Sequence, residues 1–103
     1  MIKIELFKNF GRLYGFCALN HGDSNVCAAV SVLSINTVNC IEKFTDAEVK
    51  CDYNNAGGYL KLEVPELIES ENEKASLILK CFELGINSVA ENYDCVSVSV
   101  KED

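Results

Sequence analysis

The sequence predicts an α+β fold: a two-layer sandwich of order ββαββαβ, with two helices on one face of a mixed five-stranded sheet. Three observations carry this. Five short segments alternate apolar and polar residues, the period of a strand with one buried face. Two longer segments, about Asn25 to Phe44 and about Glu71 to Glu91, repeat apolar residues at helical spacing. Glycine-bearing connections join the first two strands and the next two. At 103 residues the chain has room for one core, so residues 1–103 are expected to form a single domain.

The elements follow in order. Ile2, Ile4 and Leu6 alternate with Lys3 and Glu5 in the first strand. "NFGR" supplies a turn at Gly11, and a second strand from about Leu13 to Leu19 completes a hairpin. The first helix carries Val26, Val30, Leu33, Thr37 and Ile41 as its apolar stripe, with Ala29 and Cys40 beside it. Asp23, Ser24 and Asn25 are all good N-cap residues, which puts Cys27 in the first turn. Ala47, Val49 and Cys51 alternate with Glu48, Lys50 and Asp52 in the third strand. "YNNAGGYL" leads into the fourth, where Leu60, Leu62 and Val64 alternate with Lys61 and Glu63 until Pro65 ends it. The second helix presents Ala75, Ile78, Leu79, Phe82, Ile86 and Val89, and tolerates Gly85 at modest cost. The last strand sets Val96, Val98 and Val100 on one face and Cys95, Ser97 and Ser99 on the other. The sheet face away from the helices is expected to be mostly polar, with Tyr and Cys positions, and either solvated or used between two copies of the chain.

Composition narrows the function classes. An apolar content of 49% with a single proline argues against disorder. No unbroken apolar run approaches the roughly 18–20 residues that cross a bilayer, and "MIKIELFKNF" lacks the apolar core of a signal peptide. The expected location is cytoplasmic. A net charge of −7 argues against nucleic acid and anionic membranes as partners, and suits a basic protein or peptide. The six cysteines are Cys17, Cys27, Cys40, Cys51, Cys81 and Cys95; no two stand in a CxxC pair, and His21 is the only histidine. Neither a metal site nor another cofactor is expected, and most of these thiols are expected to be small buried hydrophobes.

"NHGDSNVCAAVSVL", residues 20–33, carries the chemistry. A thiol in the first turn of a helix sits in the positive end of the helix dipole, which favours thiolate. A nearby imidazole accepts its proton. Backbone N–H groups of a first helical turn lack intrahelical partners and suit an oxyanion. Cys27 stands six positions after His21, a reach of at most about 20 Å, so the pair can meet after modest folding. The plainer reading stands beside this one: a lone cysteine in a first turn is usually packing, and a lone loop histidine is usually solvated. Ser31, one turn after Cys27, either contacts the thiol or substrate or is a polar residue on the helix flank. The other five cysteines lie within strands or late or central in helices, where the dipole gives no help.

"H-(loop)-VCAAVSVL", then "CDYNNAGGYLKL" and "EKASLILKCFELGINSVAEN", resembles the ribosomal-processing cysteine proteases over nearly the whole chain. "VCAAVS" after a histidine loop is the specific part, and Gly57-Gly58 adds to it. The resemblance implies Cys27 as nucleophile and His21 as base, with Ser31, Asp23 and Ser24 in supporting or substrate-binding roles. It implies a homodimer, and as substrate the N-terminal extension of a large-subunit ribosomal protein precursor. Asn20 stands where the family usually has glycine, Ser24 where it tends to have aspartate, and the loop from His21 to Cys27 is shorter than usual. The first reading is therefore a cysteine endopeptidase. The alternatives are a catalytically idle binding module of the same fold and a thiol redox protein.

Overall fold

The structure, a computed structural model, describes residues 1–19, 24–54 and 58–103, with the side chain of Ser24 left out. Its strands are β1 (Ile2–Asn9), β2 (Arg12–Leu19), β3 (Lys50–Tyr53), β4 (Tyr59–Glu63) and β5 (Val96–Glu102). Its helices are α1 (Ser24–Phe44), the single turn α2 (Glu66–Glu69) and α3 (Glu73–Asn92). The five strands form one sheet in the order β3-β4-β2-β1-β5. β1 and β5 run parallel, and the other neighbours are antiparallel. The α+β sandwich with a mixed five-stranded sheet is therefore the fold of this chain.

Period two sets the inner face. Ile2, Ile4 and Leu6 are buried, and so are Phe16 and Ala18, which pair with Leu6 and Ile4. Phe16 stacks on Phe82 of α3, with ring centroids 3.9 Å apart. Ala75, Leu79, Phe82 and Ile86 are the buried stripe of α3. In α1 the buried positions are Val26, Val30, Ser34, Thr37, Val38 and Ile41, while Leu33 is partly buried and Ala29 is exposed. Ser34 and Thr37 are admitted because their hydroxyls donate to the carbonyls of Val30 and Leu33, at 2.8 and 2.7 Å. α1 has the length and composition of a membrane span, yet this stripe packs into the core.

Several elements differ from the sequence pattern. β3 starts at Lys50 rather than near Ala47, and all four of its residues are exposed. Cys51 does share the helix-side face, but α1 does not extend over this edge strand. After Pro65 the chain makes α2, which seats Leu67 in the core. α3 starts at Glu73 because Asn72 caps it, its side chain accepting from the Ala75 N–H at 3.1 Å. The cysteines are less buried than expected: Cys17, Cys27, Cys40 and Cys95 are half-buried, and Cys51 and Cys81 are exposed free thiols. Their positions lie on the flanks of the helix stripes, on the far sheet face or, for Cys51, on the uncovered edge strand.

The turn between β1 and β2 consists of Phe10 and Gly11, both with positive φ (49° and 80°), which matches the twist of a tight hairpin. The pairing shifts between Phe7 and Lys8, leaving Tyr14 as a bulge residue. On the sheet face away from the helices Phe7 and Tyr14 are nevertheless buried, their rings 6.0 Å apart. The ammonium groups of Lys61 and Lys101 lie 5.6 and 6.0 Å from the centre of the Phe7 ring. That face is less polar than its alternation suggests, because long lysine stems roof an aromatic pair.

Candidate active site

α1 places Cys27 in its first turn, half-buried and packed against the core. The flanking Val26 and Val30 are buried and fix the turn. No acidic side chain lies within that first turn, so none there opposes the positive end of the helix. His21 and Asp23, and the side chain of Ser24, lie outside the described residues.

One turn beyond Cys27, Ser31 enters the wall of a cleft of about 490 Å³ between α1 and the β3–β4 pair. Ser34, Ile35, Val38, Asn39 and Glu42 continue the α1 wall. Cys51, Tyr53, Asn54, Gly58, Tyr59 and Leu60 form the opposite side. The cleft exists because the sheet edge extends past the helix layer: Ile35 and Tyr53 are 52% and 63% exposed although both are large and apolar. Gly58 lies in the left-handed region (φ 86°), where glycine is unstrained, at the entry to β4. Of the predicted site residues, the structure therefore sets Cys27 and Ser31 on one helix face.

Two other thiols are held in the neutral form. Partial burial pushes the Cys51 thiol up, and the carboxylates of Glu42 and Asp52 push it further. Burial also pushes the Cys17 thiol up; Lys61 opposes this and Glu5 adds to it. Neither is suited to nucleophilic attack near neutral pH. Among the described residues no group of three His, Cys, Asp or Glu side chains is placed to hold a metal.

None of Tyr53, Tyr59, Ile35, Val38 and Glu42 was singled out from the sequence as a cleft residue. Their one visible trace is the pair of tyrosines flanking the glycine connection, "YNNAGGYL".

The family model of the cysteine protease Prp matches residues 1–97. The chain belongs to the Prp family. The Prp family is one of cysteine proteases, so the resemblance carried by "VCAAVS" and the element order holds. Ribosomal processing cysteine protease Prp of Bacillus subtilis is 28% identical over 74 residues, which cover 71% of this chain and 66% of that protein, just under two thirds of its length. The crystal structure of SMU.848 from Streptococcus mutans is similar with a TM-score of 0.87 and 30% identity, over 100% of this chain and 96% of the other. Staphylococcus aureus Prp, solved with a covalently linked product peptide, has a TM-score of 0.87 and 23% identity over 98% of this chain and 100% of its own. At that identity the likeness to the S. aureus Prp speaks for the fold.

Proposed function

We propose that this chain is a cysteine endopeptidase that removes the N-terminal extension of a large-subunit ribosomal protein precursor, with Cys27 as nucleophile and His21 as its base. The observation that carries the reading is the place of Cys27: in the first turn of a core-anchored helix, one turn before Ser31, which lines a largely apolar cleft, in a chain of the Prp family.

The chemistry follows from that place. His21 takes the Cys27 proton, and the thiolate attacks the scissile carbonyl carbon. Backbone N–H groups of the first turn of α1 hold the oxyanion that forms. The imidazolium then protonates the leaving amine, the C–N bond breaks, and an acyl-thioester remains on Cys27. Water, deprotonated by His21, hydrolyses the thioester and frees the thiol. Ser31 lines the cleft beside the nucleophile and is assigned to substrate contact; Asp23 and Ser24 are assigned to holding the loop before α1.

The net charge of −7 suits a basic ribosomal-protein precursor. A homodimer built on the sheet face away from the helices, in the cytoplasm, completes the proposal. Light scattering at micromolar concentration tests the dimer, and a clean monomer refutes it. The activity is tested by incubating the chain with large-subunit ribosomal protein precursors from its own genome and reading intact mass. Loss of a short N-terminal peptide, absent with Cys27→Ser, supports it. Unchanged mass for every precursor, with the Cys27→Ser variant still binding one of them, gives the idle binding module instead.

A further inference from the structure

The cleft has a direction. At about 100° per residue, Cys27, Ser31, Ile35, Val38 and Glu42 fall within an arc of roughly 80° on α1. They form one row that starts at the nucleophile and ends at a carboxylate. Glu42 is the one charged residue in the cleft wall among the described residues. It is exposed, and it takes part in none of the ion pairs found among the described residues. Among the described residues no lysine or arginine lines this cleft; Lys43, next to Glu42, lines a separate surface pocket. Ahead of it Ile35 and Val38 on α1 and Tyr53 and Leu60 on the opposite side form the apolar part of the wall, beside Ser31, Ser34 and Asn39.

We infer that Glu42 is a specificity determinant that receives the Lys or Arg side chain of a peptide laid along α1. This rests on the proposed endopeptidase reading and adds the chemistry of its substrate: apolar side chains along the cleft, then one basic side chain at its far end. The helix sets the spacing. The rise from Cys27 to Glu42 is about 22 Å at 1.5 Å per residue. An extended peptide advances about 3.3 Å per residue. The basic residue therefore stands about six or seven positions from the bond that Cys27 cuts. Because Glu42 is exposed, the pair is worth a modest preference, about three- to fivefold, rather than an absolute requirement.

The test uses the full chain and synthetic peptides of the precursor extension. Each peptide carries Lys, Ala or Glu at one position, five to eight residues to either side of the cut bond. Cleavage is read as kcat/KM on the unmodified chain, and affinity by fluorescence anisotropy on Cys27→Ser, with and without Glu42→Gln or Glu42→Lys. The expected result is one position at which Lys is favoured about three- to fivefold over Ala. Glu42→Gln removes that preference, and Glu42→Lys reverses it in favour of Glu. Peptides cut with no position-dependent charge preference, or with a preference that Glu42→Gln leaves unchanged, overturn the assignment of Glu42 and leave the endopeptidase reading standing. Peptides bound but never cut overturn the endopeptidase reading, and the charge swap in binding still decides Glu42. Peptides neither cut nor bound overturn both.

Discussion

Gly15 of β2 lies so close to β4 that a Cβ on it would collide with the carbonyl oxygen of Leu62 and crowd the Cα of Glu63. The contact is backbone against backbone, so no rotamer change relieves it. It matters for the site because β4 carries Tyr59 and Leu60, two residues of the cleft wall.

Gly15→Ala is accordingly expected to destabilise the fold by about 3 kcal/mol or more, the range of severe steric insertion. Gly85→Ala is the contrast. There a Cβ meets only the two methyl groups of Leu33, Cδ2 at 3.3 Å and Cδ1 at 3.7 Å, the movable end of a side chain. The gain in helix propensity, about 1 kcal/mol, offsets the small shift, and the net change should lie within about 1 kcal/mol of zero. Urea midpoints of the two variants check this. Equal midpoints would mean that β2 and β4 are not held at this spacing.

The phenol of Tyr14 donates to Asp103 Oδ2 at 2.6 Å. That bond, then burial, then the negative charges of Asp103 and Glu63 push the Tyr14 pKa up to about 12. Since the folded value lies above the unfolded one, of about 10, the native state favours the protonated phenol. The stabilisation is complete below about pH 10 and is lost as pH rises through about 12. Urea unfolding at pH 8, 10 and 11 should show the unmodified chain losing its advantage over Tyr14→Phe across that window. A difference constant from pH 8 to 11 would contradict the linkage.

The parts that could be read from sequence were those where one face of one element decides. Ile2-Ile4-Leu6 and Leu79-Phe82-Ile86 announce their faces because each row is buried along its length. The first turn of α1 was legible from Asp23, Ser24 and Asn25 followed by Val26 and Val30. β3 was misplaced because its four residues are exposed and the strand is defined by pairing with β4, a partner that its own sequence does not encode. α2 was missed because Pro65 reads as a stop, and it also serves as the entry to a helical turn. Ser34 was missed because a hydroxyl bonded to its own helix is buried without leaving an apolar mark. The cleft was invisible for a similar reason: its two walls, Ile35 with Val38 and Tyr53 with Leu60, are brought together only by the packing of α1 beside the sheet edge.

Cys17, Cys40, Cys51, Cys81 and Cys95 are expected to be dispensable for cleavage. Replacing the exposed Cys51 or Cys81 by alanine should change stability by less than about 0.5 kcal/mol. The half-buried Cys17, Cys40 and Cys95 should each lose about 1 kcal/mol at most. Assays of precursor cleavage beside urea midpoints separate the two effects. A well-folded variant among these five with no activity would move the nucleophile away from Cys27.

The decisive pair is Cys27 and His21. If they act as a dyad, iodoacetamide at pH 7 should label Cys27 first among the six thiols, because its base His21 takes the thiol proton. Cys51 and Cys17 should label slowly, since their thiols are pushed up by burial. His21→Ala removes the proton acceptor and the charge together. It should slow labelling of Cys27 and lower kcat/KM by about 10²- to 10⁴-fold, the contribution of a positioned general base. Circular dichroism and the urea midpoint establish that the variant is folded. Cys27→Ser should abolish cleavage and keep affinity for the precursor peptide. A folded His21→Ala that is labelled at the unmodified rate and cuts as well would make Cys27 a packing residue of the first turn and His21 a bystander.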